Sequence, residues 1–168
     1  MFYFRTRRRW LEYAPKKCPP LAVVSREDWH AKRPADKDKL KPPVMFVLLN
    51  LDTGTRSCTN LKDCCRLIKS LQHDHVHDYG YSDIRYNFLI SEDGTIFEGR
   101  GWMYTPEQPL FEYNQYEEIA LNIAYIGNYT ECDPTPEMLQ SKRNLLQFGV
   151  NNMYLHHRYE VVEVPDNV

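Results

Sequence analysis

Six histidines and five cysteines are the residues of this sequence best suited to hold a metal or attack a carbonyl. A hydrolytic zinc needs three protein ligands at about 2.0–2.3 Å and one position left open for water. His73, His75 and His77 alternate through a stretch patterned as a helix. Alternate helical residues point about 200° apart, so these three do not converge on one ion. His156 and His157 are neighbours and diverge on a strand or a helix, and His30 is isolated beside Trp29. Among Cys18, Cys58, Cys64, Cys65 and Cys132 there is no second close pair, and no Cys/His pair, at zinc-ligand spacing. No Ser/His/Asp or Cys/His arrangement stands out either. These residue types point to no metal, no cofactor and no catalytic residue.

Two cysteines suit a structural role. Cys58 and Cys64 enclose CTNLKDC just ahead of a helical pattern, a spacing that can close a small disulfide loop. Asn128-Tyr129-Thr130 is a glycosylation acceptor placed after Gly127, where a strand should end. Together they favour an extracellular compartment. An odd cysteine count leaves one thiol of Cys18, Cys65 and Cys132 either joined to another chain or buried as a small hydrophobe.

The charge is nearly balanced, with 21 Lys+Arg against 23 Asp+Glu, which argues against a nucleic-acid partner. Hydrophobic residues at 42% describe a globular domain, and 168 residues suffice for one core. No apolar run approaches the roughly 20 residues needed to cross a bilayer. Arg5, Arg7, Arg8 and Arg9 crowd together beside Phe2, Tyr3, Phe4 and Trp10. Residues 1–20 therefore read as a leader or as a juxtamembrane linker, with a domain over 21–168.

The elements that must position any site follow from periodicity. Val44-Met45-Phe46-Val47-Leu48-Leu49 is apolar without alternation, as in a strand covered on both faces. Asn60 caps a helix whose stripe runs Leu61, Cys65, Ile68, Leu71 or Gln72, and His75, ending near Gly80. Asp93-Gly94 between residues 88–90 and 95–97 marks a hairpin. Residues 121–126 form a strand stopped by Gly127. Thr135-Pro136 opens a second helix with Leu139, Leu146, Val150 and Met153 on one stripe, and residues 159–164 form a last strand. This order predicts an α/β fold, a central mixed β-sheet flanked by helices.

Tyr81-Ser82-Asp83-Ile84-Arg85-Tyr86-Asn87-Phe88, followed by EDGTIFEGRGW, resembles the signature of the peptidoglycan recognition proteins, which share the type 2 N-acetylmuramoyl-L-alanine amidase fold. VSREDWHAKRP, the CTNLKDC loop, LQHDH, NIAYIGNYT and LLQFGVNNMYL agree in the same order, over roughly residues 21–164. Within the family the chain is most similar to the insect membrane receptors of the LC type, and its departures resemble the LCa co-receptor branch. The resemblance implies a groove on one sheet face for the stem peptide and muramic acid of peptidoglycan. It pairs Cys58 with Cys64 and makes His75 structural. In catalytic members two histidines and a cysteine hold zinc. The first of those histidines is replaced here, where the strand ends Leu49-Asn50-Leu51-Asp52-Thr53, and residues 161–168 match neither other ligand. The resemblance therefore implies a non-catalytic recognition domain, in which Tyr86, at the position of a tyrosine that assists catalysis, binds or packs.

Carried over by position, the ligand contacts are Tyr81, Tyr86, Trp102, Met103, Tyr104 and Asn114, with Trp102 equally suited to the core. Met103-Tyr104 matches neither usual pair for lysine-type or diaminopimelate-type stem peptides. The stretch from Thr105 to Glu112, with Glu107 and Glu112, and then Gln115-Tyr116-Glu117-Glu118, is longer than in the family. It either obstructs the groove and repels stem-peptide carboxylates or is neutral surface variation. The implied partners are a peptidoglycan fragment and a related recognition domain that associates when the fragment is present. A soluble decoy and, less well, a zinc amidase are the alternatives.

Overall fold

The computed structural model describes residues 21–35, 38–107, 116 and 119–164. The leader with Cys18, the stretch holding Glu112 and Asn114, Glu117 and Glu118, and residues 165–168 lie outside the described residues. Seven elements follow in order: β1 (Val44–Asn50), α1 (Leu61–His77), β2 (Phe88–Ile90), β3 (Ile96–Glu98), β4 (Ala120–Tyr125), α2 (Pro136–Asn151) and β5 (Leu155–Val164).

One five-stranded sheet runs in the order β3-β2-β4-β1-β5. Three pairings are parallel, and the β2–β3 hairpin alone is antiparallel. The mixed sheet anticipated from periodicity is therefore present. β1 lies between β4 and β5, which explains its unbroken apolar run.

Alternation along the strands sends neighbouring residues to opposite faces. Val47 and Leu49 of β1, Phe88 and Ile90 of β2, and Leu121, Ile123 and Tyr125 of β4 pack with Met138, Leu145 and Leu146 of α2. Leu89 and Ala124 point the other way, onto Cys64, Ile68 and Leu71 of α1. A smaller third cluster, Leu48, Ala120 and Val164 with Phe46, Tyr116 and Val162 against it, extends that second face toward β5.

Both helix starts follow their local chemistry. The Asn60 side chain accepts from the Asp63 N–H at 3.0 Å, and Thr135 Oγ accepts from the Met138 N–H at 3.2 Å with Pro136 next to the cap. The buried stripes are shifted from the sequence reading. On α1 the inward residue of the first turn is Cys64, bonded to Cys58, while Leu61 is exposed. On α2 the buried set is Met138, Leu145, Leu146 and Gly149, and Met153 lies past the helix end and is exposed. Gly149 faces inward because the Trp102 ring fills the space a Cβ would take, with ring carbons 2.8 and 2.9 Å from that point. A search for apolar side chains passes over such a residue.

The segment before β1 is tied to the body by buried polar contacts. Val24 bridges Phe97, and Trp29 Nε1 donates to the Glu98 carbonyl at 2.8 Å. Arg26 pairs at 2.9 Å with the buried Asp83 carboxylate, which also accepts from Gln72 Nε2 at 2.7 Å. A buried charge with this many partners is satisfied rather than catalytic.

Candidate functional site

The α1 face is polar where β1 ends. Asn50, the last residue of β1, is 1% exposed. Its Nδ2 donates to Asn122 Oδ1 on β4 and to the Ile123 carbonyl at 3.2 Å. Asn50 Oδ1 accepts from Arg85 Nη2 at 3.2 Å. Two amides and a guanidinium thus meet at the end of two strands that are otherwise apolar.

Arg85 is fixed from several sides. Its backbone N–H donates to His75 Nδ1 at 3.1 Å, and its carbonyl accepts from the Glu107 N–H at 3.1 Å. Its guanidinium lies 4.9 Å from the centre of the Tyr86 ring. His75 is buried among Tyr79, Tyr81 and Tyr86, whose ring centres are 5.6 to 6.0 Å away. Burial and the nearby Arg85 charge push its pKa down to about 3, so it is a neutral acceptor for the Arg85 N–H. His75 is a packed histidine. His73 and His77 lie against each other with tilted rings, centres 4.2 Å apart, on the exposed side of the helix.

A cavity of about 190 Å³ opens at this place, lined by Arg85, His75, Tyr79, Tyr81, Asp74, Asp78, Leu71 and the Thr53-Gly54-Thr55 turn. Thr53 Oγ1 is held by Thr55 Oγ1 at 2.8 Å, and the Gly127 N–H donates to it at 3.0 Å. Burial raises the pKa of the Tyr81 hydroxyl, so it is a neutral donor or acceptor at the cavity wall. Two larger clefts, of about 440 and 610 Å³, lie along α2, and none of the carried-over contact residues lines either.

Of the carried-over contacts, the structure brings Tyr81 to the α1 cavity. Tyr86 is next in sequence to Arg85 but 0% exposed, its ring in the α1-side core and its pKa pushed up to about 12 by burial. Its hydroxyl has no partner among the described residues. Trp102 sits on the other face, stacked on Tyr154 at 4.9 Å and packed on Phe88 at 4.7 Å. Of the four aromatics anticipated as groove floor and wall, Tyr81, Tyr86, Trp102 and Tyr104, Tyr86 is wholly buried and Trp102 is partly buried against the α2-side core, the packing alternative for each. Met103 is exposed, and Tyr104 forms a backbone bridge to Lys39. Asn114 lies outside the described residues. Glu107 is turned to Ser82 Oγ at 3.2 Å and to Arg100 at 3.6 Å, so its charge is partnered and not aimed into the cavity.

Arg85, Thr53, Thr55, Tyr79 and Asn122 were missed by sequence reasoning. The available signals were Asn50 and Asn122, single amides inside buried apolar strands, where an unpaired polar group is costly. A motif reading fixes on the tyrosine of Arg85-Tyr86 and passes over the arginine.

These residues do not fit a zinc ion. The amide of Asn50 turns its oxygen to a guanidinium and its nitrogen to acceptors, and a neutral amide is a poor zinc ligand. Arg85 places a permanent positive charge at the same point, which opposes a second cation. Among the described residues no three His, Cys, Asp or Glu gather closely enough to hold an ion.

Asp52 and Asn128 bridge the rim beside this cavity. Asn128 Nδ2 donates to Asp52 Oδ2 at 3.1 Å, and Thr130 Oγ1 donates to Asn128 Oδ1 at 2.7 Å. Asn128 is exposed, and Cys132, exposed, and Cys65, half-buried, have no disulfide partner among the described residues. No helix among the described residues is long and apolar enough to cross a membrane.

The N-acetylmuramoyl-L-alanine amidase family matches residues 40–165. Peptidoglycan recognition protein 1 of Bos indicus is 35% identical over 83% of this chain and 72% of its own length. Peptidoglycan-recognition protein LE of Drosophila melanogaster is 36% identical over 84% of this chain, but that match spans only 40% of its own length. The structure of protein LE in complex with tracheal cytotoxin, a monomeric diaminopimelic acid-type peptidoglycan, superposes with a TM-score of 0.79 at 36% identity, over 84% of this chain and 81% of that one. The ectodomain of the Drosophila transmembrane receptor PGRP-LCa superposes with a TM-score of 0.76 at 29% identity, over 83% of each chain.

Proposed function

The chain belongs to the peptidoglycan recognition protein family, and on that premise we propose that it is a non-catalytic recognition domain for bacterial peptidoglycan, acting in innate immunity as a receptor or co-receptor ectodomain. The single observation that carries the non-catalytic part is the Asn50–Arg85 contact of 3.2 Å at the end of β1. Among the described residues no three groups are placed to hold a metal there that could activate water, and neutral His75 and Tyr86 are both buried against their neighbours.

Without turnover, the output of the domain is contact. The α1 cavity supports recognition of a peptide end, with Tyr81 at its wall; Met103, Tyr104 and Asn114 are further contacts proposed from their matching positions alone. At about 190 Å³ it takes an end group and not a disaccharide. The rest of a monomeric fragment is left outside for a second surface to cover, which supports hetero-association with a related recognition domain when the fragment is present. Similarity to the PGRP-LCa ectodomain supports an extracellular receptor of the LC type, with a glycan on Asn128 and the Cys58–Cys64 bridge as adaptations to that compartment. Similarity to the tracheal cytotoxin complex of protein LE supports the second reading, a soluble binder that needs no partner.

Sedimentation separates the two readings. The purified chain is run alone and with a related recognition domain, each with and without a monomeric diaminopimelate-type muropeptide. The receptor reading expects a heavier species only when chain, partner and muropeptide are together. Saturable binding by the chain alone, with no heavier species, contradicts it and favours the soluble binder.

A further inference from the structure

We propose that His73 and His77, one turn apart on α1, form a binding site for a divalent transition-metal ion of borderline softness, copper(II) or zinc(II). The inference stands apart from the peptidoglycan reading, since neither ring lines the α1 cavity. As a trio, His73, His75 and His77 cannot converge. Four residues of helix, however, turn only about 40°, which puts the outer two on one face. The structure shows them there, exposed, with ring centres 4.2 Å apart and planes 41° from one another. Two imidazole nitrogens sharing one ion at about 2.0–2.1 Å hold their ring centres about 5 Å apart, so a small side-chain rotation completes the geometry. Neither ring has a hydrogen bond or an ion pair among the described residues, so the nitrogens of both are kept for a ligand.

The surroundings favour a cation and select its kind. α1 ends at His77, so the pair spans its last turn, where the negative end of the helix dipole lies. Asp74 and Asp78 directly follow the two histidines, against a single Lys69 one turn earlier on the same stripe. Both carboxylates line the neighbouring cavity, and the described residues offer no third His, Cys, Asp or Glu to complete a ligand set with the pair. Imidazole suits copper and zinc, whereas magnesium and calcium take oxygen ligands. Two nitrogens fall short of the three protein ligands of a hydrolytic zinc, and they leave the ion's other positions to water or to an outside donor. The pair therefore holds a metal without giving the chain a means to cut an amide.

Calorimetric titration of the full chain with Cu²⁺, and separately with Zn²⁺, tests the proposal. Cu²⁺ should bind more tightly than Zn²⁺, in the Irving–Williams order, and Mg²⁺ should not compete. His73→Gln and His77→Gln should each weaken Cu²⁺ binding about tenfold or more. His156→Gln together with His157→Gln, which removes the other neighbouring pair of rings, should leave the tightest site unchanged. Both helix rings are exposed, so the variants should fold, and an unchanged urea midpoint checks that they do. Superhyperfine splitting from two nitrogens in the electron paramagnetic resonance spectrum of the bound Cu²⁺ reads the ligands without any variant. Absence of Cu²⁺ binding by the wild-type chain, binding that survives both substitutions, or a spectrum with oxygen ligands alone overturns the site. Displacement by Mg²⁺ overturns it as well, by moving the ion to Asp74 and Asp78. None of these results bears on the recognition of peptidoglycan.

Discussion

Leu49 and Asn50 are adjacent on β1, equally buried, and belong to two different kinds of surface. Leu49 faces α2, where side chains from all five strands and a helix make one continuous apolar cluster. Asn50 faces the α1 side, where the apolar packing stops and an Asn50–Asn122–Arg85 network takes over. The α2 face is satisfied by shape alone. The α1 face is satisfied only by specific partners, because each buried amide or guanidinium left alone costs about 1–3 kcal/mol or more. A domain that keeps such a network keeps it for specificity or for a ligand, and here the network borders a cavity.

The contrast is open to test from both sides. The largest effect belongs to the apolar face: Leu49→Ala should cost about 2–5 kcal/mol by urea denaturation with an unchanged m-value. A cost below about 1 kcal/mol would show that the face packs loosely. On the α1 side, replacing Cys58 and Cys64 together by alanine should cost about 2 kcal/mol, as expected for so short a loop. Midpoint shifts of the variant and the reduced wild-type chain should agree.

The third effect depends on pH. An unfolded histidine takes up a proton near pH 6.5, whereas buried His75 does so only near pH 3. Between those values the unfolded chain holds the extra proton, so stability falls as pH falls, by about 1.4 kcal/mol per pH unit from this group. His75→Gln keeps an acceptor for the Arg85 N–H and should flatten that part of the stability profile between pH 6.5 and 5. An unchanged slope would show that His75 is not buried neutral. The smallest effect tests where Trp102 sits. Gly149→Ala pushes a methyl into its ring, costing about 1–3 kcal/mol against roughly 1 kcal/mol gained in helix propensity. The same change made together with Trp102→Ala should be neutral or stabilising. If the two changes simply add, Trp102 is not packed on α2.

Much of the fold was legible in advance, and the site only in part. The β1 run, the caps at Asn60 and Thr135 and the Asp93-Gly94 hairpin are local signals, each carried by adjacent residues with one physical meaning. Gly149 and Trp102 were not legible that way, because a missing side chain on α2 is explained only by a ring from another segment. That Asn50 stands where the resemblance places a zinc histidine was legible as a single substitution. That Arg85 had moved into contact with it was not, since residues 50 and 85 meet only through the return of the chain after α1. For Tyr86 and Trp102 the matching positions left packing and ligand contact open, because position along the chain does not fix exposure.

The central claim is that this chain contacts peptidoglycan without cutting it. Incubating the purified chain with a monomeric muropeptide and excess Zn²⁺, with and without chelator, and following the products by mass spectrometry tests that claim directly. The account predicts that the muropeptide stays intact in both. Chelator-sensitive release of the stem peptide from muramic acid would contradict it.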